Sequence, residues 1–315
     1  MRATFILAAA AGFAALPMLS GLAFAQTRVF VSGQGSDANP CSVAAPCRSF
    51  QQAHNTVVAG GEIVALDAAG YGALAISKAV TVTAIGIEAS ITTNSTTPIG
   101  ISINAGASDV VAIRGLTVIS GFTSGVGLQI SSAKSVAIRD TSVSGFPFDG
   151  ISVSSTANLD VEFRDVTSNN NGTNGLDIQQ AGNGKLTGLV TDSSFAGNGE
   201  VGVNLSVAND TTGSLTGTLK VDAAANGGSG IIVTAGNGRV KPVVMVTGSK
   251  LVNNALSGLA GIGAVQVFVD RTQISGNAGA GWQANNGATV NSYTDNQVNG
   301  NFLDGLNGVT QISSE

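Results

Sequence analysis

The segment VAIRDTSVSGFPFDGISV, residues 136–153, contains two strand-like patterns joined by a short turn. From Gly150 onwards it reads glycine, apolar, polar, apolar, and this alternation is typical of a strand with one buried face. Asp149 precedes the glycine and lies next to Phe148 in the turn. The segment therefore raises the question of whether Asp149 is a catalytic carboxylate or one turn residue among several alike.

The glycine-led pattern is a repeat. At intervals of 23 to 28 residues, GLQI begins at Gly127, GISV at Gly150, GLDI at Gly175, GVNL at Gly202 and GIIV at Gly230, with degenerate copies at Gly258, Gly281 and Gly305. The residue before the glycine is Asp, Asn, Ser, Val or Ala in different copies. Because small polar residues are common at corners, we interpret Asp149 as a turn residue.

A second strand pattern recurs with the first. VAIRGLTV (111–118), VAIRDTSV (136–143) and VEFRDVTS (161–168) align one apolar column, which we extend along the chain through Ile113, Ile138, Phe163, Val190, Leu219, Val246, Val269 and Tyr293. An asparagine follows many of these positions eight residues later, at Asn171, Asn198, Asn254, Asn277 and Asn301.

This repeat predicts an all-β solenoid in which each coil lies parallel to the next. One coil cannot bury its apolar face alone, so neighbouring coils must stack. Stacking brings like residues into register, and we expect the asparagine amides to hydrogen-bond from coil to coil. Asparagine and glycine also tolerate the left-handed backbone of sharp corners. Leucine-rich repeats and propellers are disfavoured because their consensus patterns are absent.

The repeat resembles that of the right-handed parallel β-helix superfamily, also called pectin-lyase-like. VFVSGQGSDANPCSVAAPCRSFQQAHNTVVAGGEIVAL, residues 29–66, resembles the opening of many secreted β-helix proteins, in which a GSD-x-NP turn leads to a short helix and a GG-x-I strand. The resemblance covers nearly all of the chain after residue 25 and implies a right-handed coil of roughly ten turns. Ser49 and Gln52 match a capping box, which predicts a helix over residues 49–58 that covers the first coil.

Residues 1–25 are predicted to be a signal peptide. Arg2 precedes an apolar run, and Ala23-Phe24-Ala25 is a small-x-small cleavage site, so we expect cleavage after Ala25. A membrane anchor is disfavoured because Pro17 interrupts the run and a spanning helix needs about 20 apolar residues. We expect a cap of strand, disulfide loop and helix over residues 26–60 and a β-helix over residues 61–315. The protein is thus predicted to be secreted, periplasmic or extracellular, without a transmembrane segment after cleavage.

Two cysteines, Cys41 and Cys47, are expected to form a disulfide in an oxidising compartment. A Cys–His nucleophile pair with His54 is disfavoured, because oxidation would remove the thiol.

The net charge is −5 and only 10% of the residues are charged. Both values argue against a nucleic-acid partner, which favours a basic face.

Charged side chains follow the apolar column directly. One column holds Arg114, Arg139 and Arg164, and the next holds Asp140 and Asp165. They form either an ionic lattice, in which the acids offset repulsion between the arginines, or a strip that binds an acidic polymer through two hydrogen bonds per arginine. In the second case Arg139, Arg164, Asp140 and Asp165 are the candidate catalytic patch, and Arg114 is a candidate substrate-binding residue.

A polar, uncharged strip is a further candidate. Asp177 and Asn204 share one outward column with Gln129 and Ser152. We treat Asp177 and Asn204 as candidate substrate-binding residues that could accept sugar hydroxyls. An ordinary solvated strand face explains the same residues. Trp282 replaces the apolar residue after a repeat glycine, so core packing is its expected role.

The resemblance implies contact with extracellular or envelope polysaccharide, and a uronate-polymer lyase is one activity found in the superfamily. Arginine or lysine can serve as base there, and Ca²⁺ held by aspartate can neutralise the substrate; no other cofactor is evident. The WIDH-like motif of pectate lyases and the GHG and RIK motifs of polygalacturonases are absent. Whether the protein is an enzyme therefore stays open. The alternatives are a non-catalytic surface or adhesion module and assembly through the last coil, in an unspecified oligomeric state.

Overall fold

A computed structural model describes residues 26–123, 125–208, 212–236, 240–305 and 308–313, and these residues form a parallel β-solenoid of about ten coils. The predicted signal peptide lies outside the described residues. Each complete coil contributes a strand to each of three faces. Face 1 is a sheet of nine parallel strands, which are β4 (Leu74–Ile76), β7 (Ile101–Asn104), β10 (Leu128–Ser132), β13 (Ile151–Ser155), β16 (Leu176–Gln180), β18 (Val203–Val207), β20 (Ile231–Ala235), β23 (Leu259–Ile262) and β26 (Trp282–Asn285).

A second sheet of 20 strands covers faces 2 and 3. Face 2 comprises β1 (Gln26–Val31), β2 (Val57–Ala65), β5 (Val80–Thr83), β8 (Val110–Arg114), β11 (Ser135–Arg139), β14 (Leu159–Arg164), the first parts of β17 (Lys185–Ala196) and β19 (Ser214–Ala224), β21 (Val243–Thr247), β24 (Gln266–Asp270), β27 (Thr289–Ser292) and β29 (Val309–Gln311).

Face 3 completes the coils. It comprises the last parts of β17 and β19 together with β3 (Ala69–Gly70), β6 (Ala89–Thr92), β9 (Leu116–Ile119), β12 (Ser142–Ser144), β15 (Thr167–Asn169), β22 (Lys250–Val252), β25 (Gln273–Ser275) and β28 (Gln297–Asn299). The strands are short because each side of the solenoid is only a few residues wide.

The core is the inside of the solenoid, where inward side chains stack in columns. Along face 1, the first inward position is filled by Leu128, Ile151, Leu176, Val203, Ile231, Leu259 and Trp282, all buried. Outward residues alternate with them along each strand, as the period-two pattern predicts. Trp282 therefore packs in the core, as expected from its place after a repeat glycine.

The predicted column of face 2 is confirmed as far as Val269 and is wrong by one residue at its end. Val269 pairs with Ser292 and not with Tyr293. Ser292 is buried, and its hydroxyl donates to the Tyr293 carbonyl and accepts from the Asn296 amide at 2.9 Å. A hydrogen-bonded serine thus fills a core position where an apolar residue was expected.

The asparagine ladder is confirmed. Each side-chain Nδ2 donates to the Oδ1 of the asparagine in the next coil at 2.7–3.1 Å, through Asn171, Asn198, Asn226, Asn254, Asn277 and Asn301. Each of these Oδ1 atoms also accepts a backbone N–H from the preceding coil. At the far end Asp304 Oδ1 accepts from Asn301, so the buried row is closed by a carboxylate.

Asn226 belongs to the ladder but was not predicted, because it does not lie eight residues after its column position, Leu219. In the coil of β19, Lys220 lies opposite Thr191 and Val221 opposite Ser193, so β19 has no counterpart of the corner residue Asp192. Because this coil is one residue shorter at the corner, its asparagine follows Leu219 by seven residues and not by eight.

The repeat glycines serve close packing, whereas other glycines and asparagines take the left-handed backbone that was expected at corners. Left-handed residues lie just before the ladder, for example Asn170 with φ 56° and Gly197 with φ 64°, and also at the corner between faces 2 and 3, for example Gly115 with φ 80°. A Cβ on the repeat glycine Gly175 would lie 2.7 Å from Asn198 Nδ2 and 2.8 Å from the Gly202 carbonyl oxygen. The glycine is therefore required because the ladder passes directly over its backbone.

The amino-terminal cap contains helix α1 (Phe50–Thr56), which is shorter than the predicted span of 49–58. Ser49 is its N-cap and its hydroxyl accepts from Gln52 N at 3.2 Å. A capping box would also have the Gln52 side chain accept from Ser49 N. This part of the prediction is wrong, because Ser49 N donates to Asp37 Oδ1 at 2.9 Å.

Cys41 and Cys47 form the predicted disulfide. Across the described ranges, no helix combines the length and apolarity needed to span a membrane.

Replacing Gly175 with alanine tests the packing role of the repeat glycine. We expect Gly175→Ala to lower the unfolding free energy by roughly 1–3 kcal/mol, because backbone and ladder atoms must move. Gly188→Ala is the matched control, since a Cβ there would be 3.7 Å or more from its neighbours. Thermal unfolding followed by circular dichroism at one scan rate measures both. Equal midpoints for the two variants would contradict the packing role.

Candidate functional site

The corner between faces 2 and 3 is turned by single residues with a left-handed backbone. Gly115, Asp140, Asp165 and Asp192 have φ between 49° and 80°. Aspartate is one of the few residues that adopts this conformation, since its short polar side chain can bond locally. Shallow depressions follow this corner between Arg114 and Gln297. We refer to this outer surface as the corner groove.

The three predicted arginines stack beside the corner groove. Arg139 of β11 pairs in register with Arg114 of β8 on one side and with Arg164 of β14 on the other. Adjacent parallel strands are about 4.8 Å apart, so the three guanidinium groups emerge at that interval. Each of the three side chains is about half exposed. The stack predicted from the sequence therefore exists on the protein surface.

Each arginine of the stack has an acidic partner. Arg114 Nε donates to Asp140 Oδ2 at 2.6 Å. Arg139 donates through one terminal nitrogen to both carboxylate oxygens of Glu162, at 3.0 and 3.1 Å. Arg164 Nε lies 3.4 Å from Glu162 Oε1. The geometry is thus an ionic lattice whose guanidinium groups still present N–H donors to solvent, since each group has five.

Glu162 is the residue whose role sequence reasoning missed. The hydrogen bond from Arg139 is the largest influence on its carboxyl, and it lowers the pKa below the ordinary value despite opposing burial. The signal was present in VEFR, because residues two apart on a strand face the same side. Asp165 was expected to pair with the arginines, but among the described residues its carboxylate has no ion-pair partner.

Two of the carboxylates beside the arginine stack are already engaged. Asp140 and Glu162 already bind arginines. Within the part of the chain that the structure describes, no three His, Cys, Asp or Glu side chains lie close enough together to hold a metal ion. Calcium normally takes six to eight oxygen ligands, several of them from carboxylates. The described residues therefore do not fit the Ca²⁺ that the lyase hypothesis included.

The polar strip of face 1 is also in register. Ser152 pairs with Gln129 on one side and with Asp177 on the other, and Asp177 pairs with Asn204. Asn204 Nδ2 donates to Asp177 Oδ1 at 2.7 Å. Burial raises the pKa of the Asp177 carboxyl, the Asn204 bond opposes this change, and the nearby charge of Asp149 raises the pKa further. The two candidate substrate-binding residues are thus in direct contact.

Asp149 holds a turn at the edge of face 1, as its place in the repeat predicts. Its Oδ1 accepts from Thr173 Oγ1 at 2.5 Å and from Asn174 N and Nδ2 at 3.1 and 3.0 Å. Phe148, in the same turn, is exposed, and so is Phe122 in the turn one coil earlier. Face 1 therefore combines the polar strip with exposed aromatic rings along its border.

Solved structures of other proteins share the fold of this chain. The A-module of the Azotobacter vinelandii mannuronan C-5 epimerase AlgE6 is similar, with a TM-score of 0.62 and 18% identity over 80% of this chain and 71% of that chain. Pectate lyase Pel9A is similar with a TM-score of 0.57 and 16% identity over 88% of this chain and 72% of that chain. The chain has the pectin-lyase-like parallel β-helix fold.

Similarity within this β-helix fold extends to the A-module of the epimerase AlgE4 from the same organism, with a TM-score of 0.52 and 19% identity over 80% of this chain and 72% of that chain. No protein-family model matches the sequence, and no relative is found among curated proteins. At these identities the likeness concerns the β-helix fold alone. Handedness, which the spacing did not determine, follows from this fold.

The pKa of the Glu162 carboxyl depends on its contacts with Arg139 and Arg164. We expect its pKa to lie below the ordinary 4.5 and to rise more in Arg139→Ala than in Arg164→Ala, because Arg139 makes the shorter bonds. The ion pairs then stabilise the fold above pH about 4.5, and their small contribution is lost as the pH falls through the lowered pKa. Carboxyl NMR titration measures this, with Arg28→Ala as control. The same Glu162 titration curve in all variants would contradict the lattice.

Proposed function

We propose that the protein is an exported β-helix protein that binds an acidic polysaccharide lying along the corner groove. The observation that carries the proposal is the stack of Arg114, Arg139 and Arg164 in register. A polymer chain parallel to the solenoid axis would meet one guanidinium per coil. The coil spacing of about 4.8 Å is comparable to the length of one sugar unit, so successive carboxylates can each meet an arginine.

The free donors of the stack support this use. Arg114 donates to Asp140 through Nε, and Arg164 lies nearest Glu162 through Nε; within the described ranges the terminal nitrogens of both arginines make no hydrogen bond and can donate to a ligand. A guanidinium can bind a carboxylate through two parallel N–H donors. Pectate lyase and mannuronan C-5 epimerases, which share the fold, are named for polymers of uronic acids. Uronate polymers are therefore the proposed ligand class.

The acidic partners limit the affinity that this surface can reach. Asp140 and Glu162 neutralise part of the positive charge, and exposed ion pairs exchange readily with other charged groups. Binding is therefore expected to depend on several coils at once and to weaken at high salt, where the Debye length falls to a few ångströms. A long polymer would be bound, and a single sugar would not.

Export is part of the proposal. The Cys41–Cys47 disulfide fits an oxidising compartment, and an extracellular or envelope location would place the protein beside such polymers. Residues 1–25 would then be removed after Ala25. Sequencing the amino terminus of the protein recovered from outside the cytoplasm tests this, with Gln26 as the expected first residue.

Removing the centre of the stack tests the binding proposal. We expect Arg139→Ala combined with Arg164→Ala to reduce retention on an insoluble uronate polymer by roughly tenfold at low salt, because two guanidinium contacts are lost. The matched control is Arg28→Ala combined with Lys185→Ala, which removes the same charge from face 2 outside the stack. Circular dichroism establishes that both variants fold.

A third variant sharpens this experiment. Glu162→Gln removes the acid that occupies Arg139 and Arg164, so retention should rise by roughly two- to fivefold. Glu200→Gln, an exposed acid outside the corner groove, is its control. The binding proposal fails if the arginine and control pairs lose retention equally, or if Glu162→Gln lowers retention.

Catalysis is tested with the same protein. Wild-type protein is incubated with acidic and neutral polysaccharides, with Ca²⁺ or with a chelator, and unsaturated products are followed by ultraviolet absorbance. Unsaturated product from a uronate polymer would establish a lyase, with Arg139 and Arg164 as the first candidates for the base and Asp140 and Asp165 as further members of the patch. Retention without product would establish the non-catalytic binding module that is the alternative.

A second candidate function is acid-catalysed cleavage of a glycosidic bond on face 1, which the environment of Asp177 favours. Burial keeps this carboxyl protonated to higher pH than an exposed aspartate, which a proton donor to a leaving sugar requires. Phe148 would provide an exposed surface on which a sugar ring can pack.

Replacing Asp177 tests this second function. If wild-type protein releases new reducing ends from a polysaccharide, Asp177→Asn should lower the rate by roughly 10²–10⁴-fold, because general acid catalysis contributes that much. Retention on the same polymer should change little, since asparagine keeps a similar shape. Asp160→Asn, an exposed acid on face 2, is the control. No reducing ends from any polymer, or equal rates in wild type and Asp177→Asn, would exclude the role.

A further inference from the structure

Strand β4 is the first strand of face 1, and among the described residues no strand pairs with one of its two edges. It pairs with β7 alone. Side chains of α1 take the place of the missing strand. Ala75 N donates to Gln51 Oε1 at 2.8 Å, and Ser77 N donates to His54 Nε2 at 3.3 Å. The helix thus covers an edge that would otherwise present free backbone groups for pairing.

His54 can accept this bond in only one state. Because Nε2 accepts from Ser77 N, the ring must be neutral with its proton on Nδ1. The side chain is buried, and among the described residues no polar atom lies in hydrogen-bonding geometry with Nδ1, although the Asn55 side chain is near enough to influence the ring. A second proton would go to Nε2 and turn it into a donor that faces the Ser77 donor. Protonation therefore breaks the contact and leaves a buried charge.

The charges around α1 oppose a protonated ring. The helix packs against β1, β2 and β4. Lys78, which follows Ser77 after the end of β4, donates through Nζ to the Val57 carbonyl at 2.5 Å, and its positive charge acts on His54. Arg28 of β1 and Glu62 of β2 bind each other at 2.6 Å on the outer surface of face 2. On α1 itself, the Asn55 side chain is the group that favours the proton.

We propose that α1 is an acid-released cover of the solenoid end, and that protonation of His54 detaches it from β4. A detached helix leaves the backbone N–H groups of Ala75 and Ser77 at the edge of β4 without their side-chain acceptors. The trigger is a single residue, because His54 is the only histidine of the chain.

The sign of the pH dependence follows from the burial. Burial first, and Lys78 second, lower the pKa of the docked His54 ring below its ordinary 6.5. The detached helix binds the proton more readily, so docking is complete above pH about 6.5 and is weakened as the pH falls below it. Burial disfavours the charged form of Asp37, but bonds from Ser49 and Arg48 outweigh it and lower the pKa. The Asp37 carboxylate, which accepts from Ser49 N at the start of α1, therefore stays ionised in the pH range in which His54 acts.

Hydrogen exchange of the folded protein tests the proposal. Amides of residues 74–80 are measured by mass spectrometry at pH 7.5, 6.0 and 5.0, as protection factors corrected for the intrinsic rate at each pH. In the wild type, protection of these amides relative to the central coils should fall by roughly tenfold or more between pH 7.5 and 5.0. In His54→Gln, which keeps an acceptor but cannot titrate, it should stay constant.

Two results would overturn the proposal. One is constant protection in the wild type, and the other is the same acid-dependent loss in His54→Gln. Should His54→Gln not fold, ¹⁵N NMR of the single histidine in wild-type protein decides the question. The proposal requires a ring protonated at Nδ1 at neutral pH and a titration midpoint below 6.5. A ring protonated at Nε2, or a midpoint at or above 6.5, would reject it.

Discussion

The asparagine ladder is the constraint on which the rest of this solenoid depends. The amides of Asn171, Asn198, Asn226, Asn254 and Asn277 are buried, and each must donate to the asparagine of the next coil, because a buried polar group without a partner costs about 1–3 kcal/mol. This requirement fixes how consecutive coils lie over one another at one corner. It also explains the repeat glycine, since Asn198 Nδ2 would lie 2.7 Å from a Cβ on Gly175. Differences in coil length are taken up at other corners.

Register has consequences for the outer surface as well as for the core. When coils stack in parallel, residues at equivalent positions come to lie about 4.8 Å apart, whether or not their charges are alike. Arg114, Arg139 and Arg164 are stable in this arrangement because Asp140 and Glu162 lie among them. The same geometry that requires these partners also produces a regular row of cations. A repeating polymer is the ligand that a regular row fits best.

The ends of the solenoid face a different problem, because stacking satisfies backbone groups only between coils. At the amino end α1 and the disulfide loop supply the missing partners, through Gln51, His54 and the backbone of Cys47. At the other end of the ladder Asp304 takes the place of a further asparagine. The fold is shared with proteins only 16–19% identical, since a periodic core and satisfied ends can be built from many side chains.

The sequence by itself determined the fold class, the alternation of buried positions, the ladder asparagines other than Asn226, the disulfide and the arginine stack. These features depend on residue type at a regular spacing, which is visible along one chain. Tertiary structure alone decided which acid binds which arginine, that Ser292 and not Tyr293 enters the core, that Asp37 holds the N-cap, and that His54 accepts from Ser77. A coil that loses one corner residue shifts every later position, and partners in neighbouring coils are more than 20 residues away in the chain. Such pairings follow from how the coils lie in space, and spacing along the sequence does not contain that information.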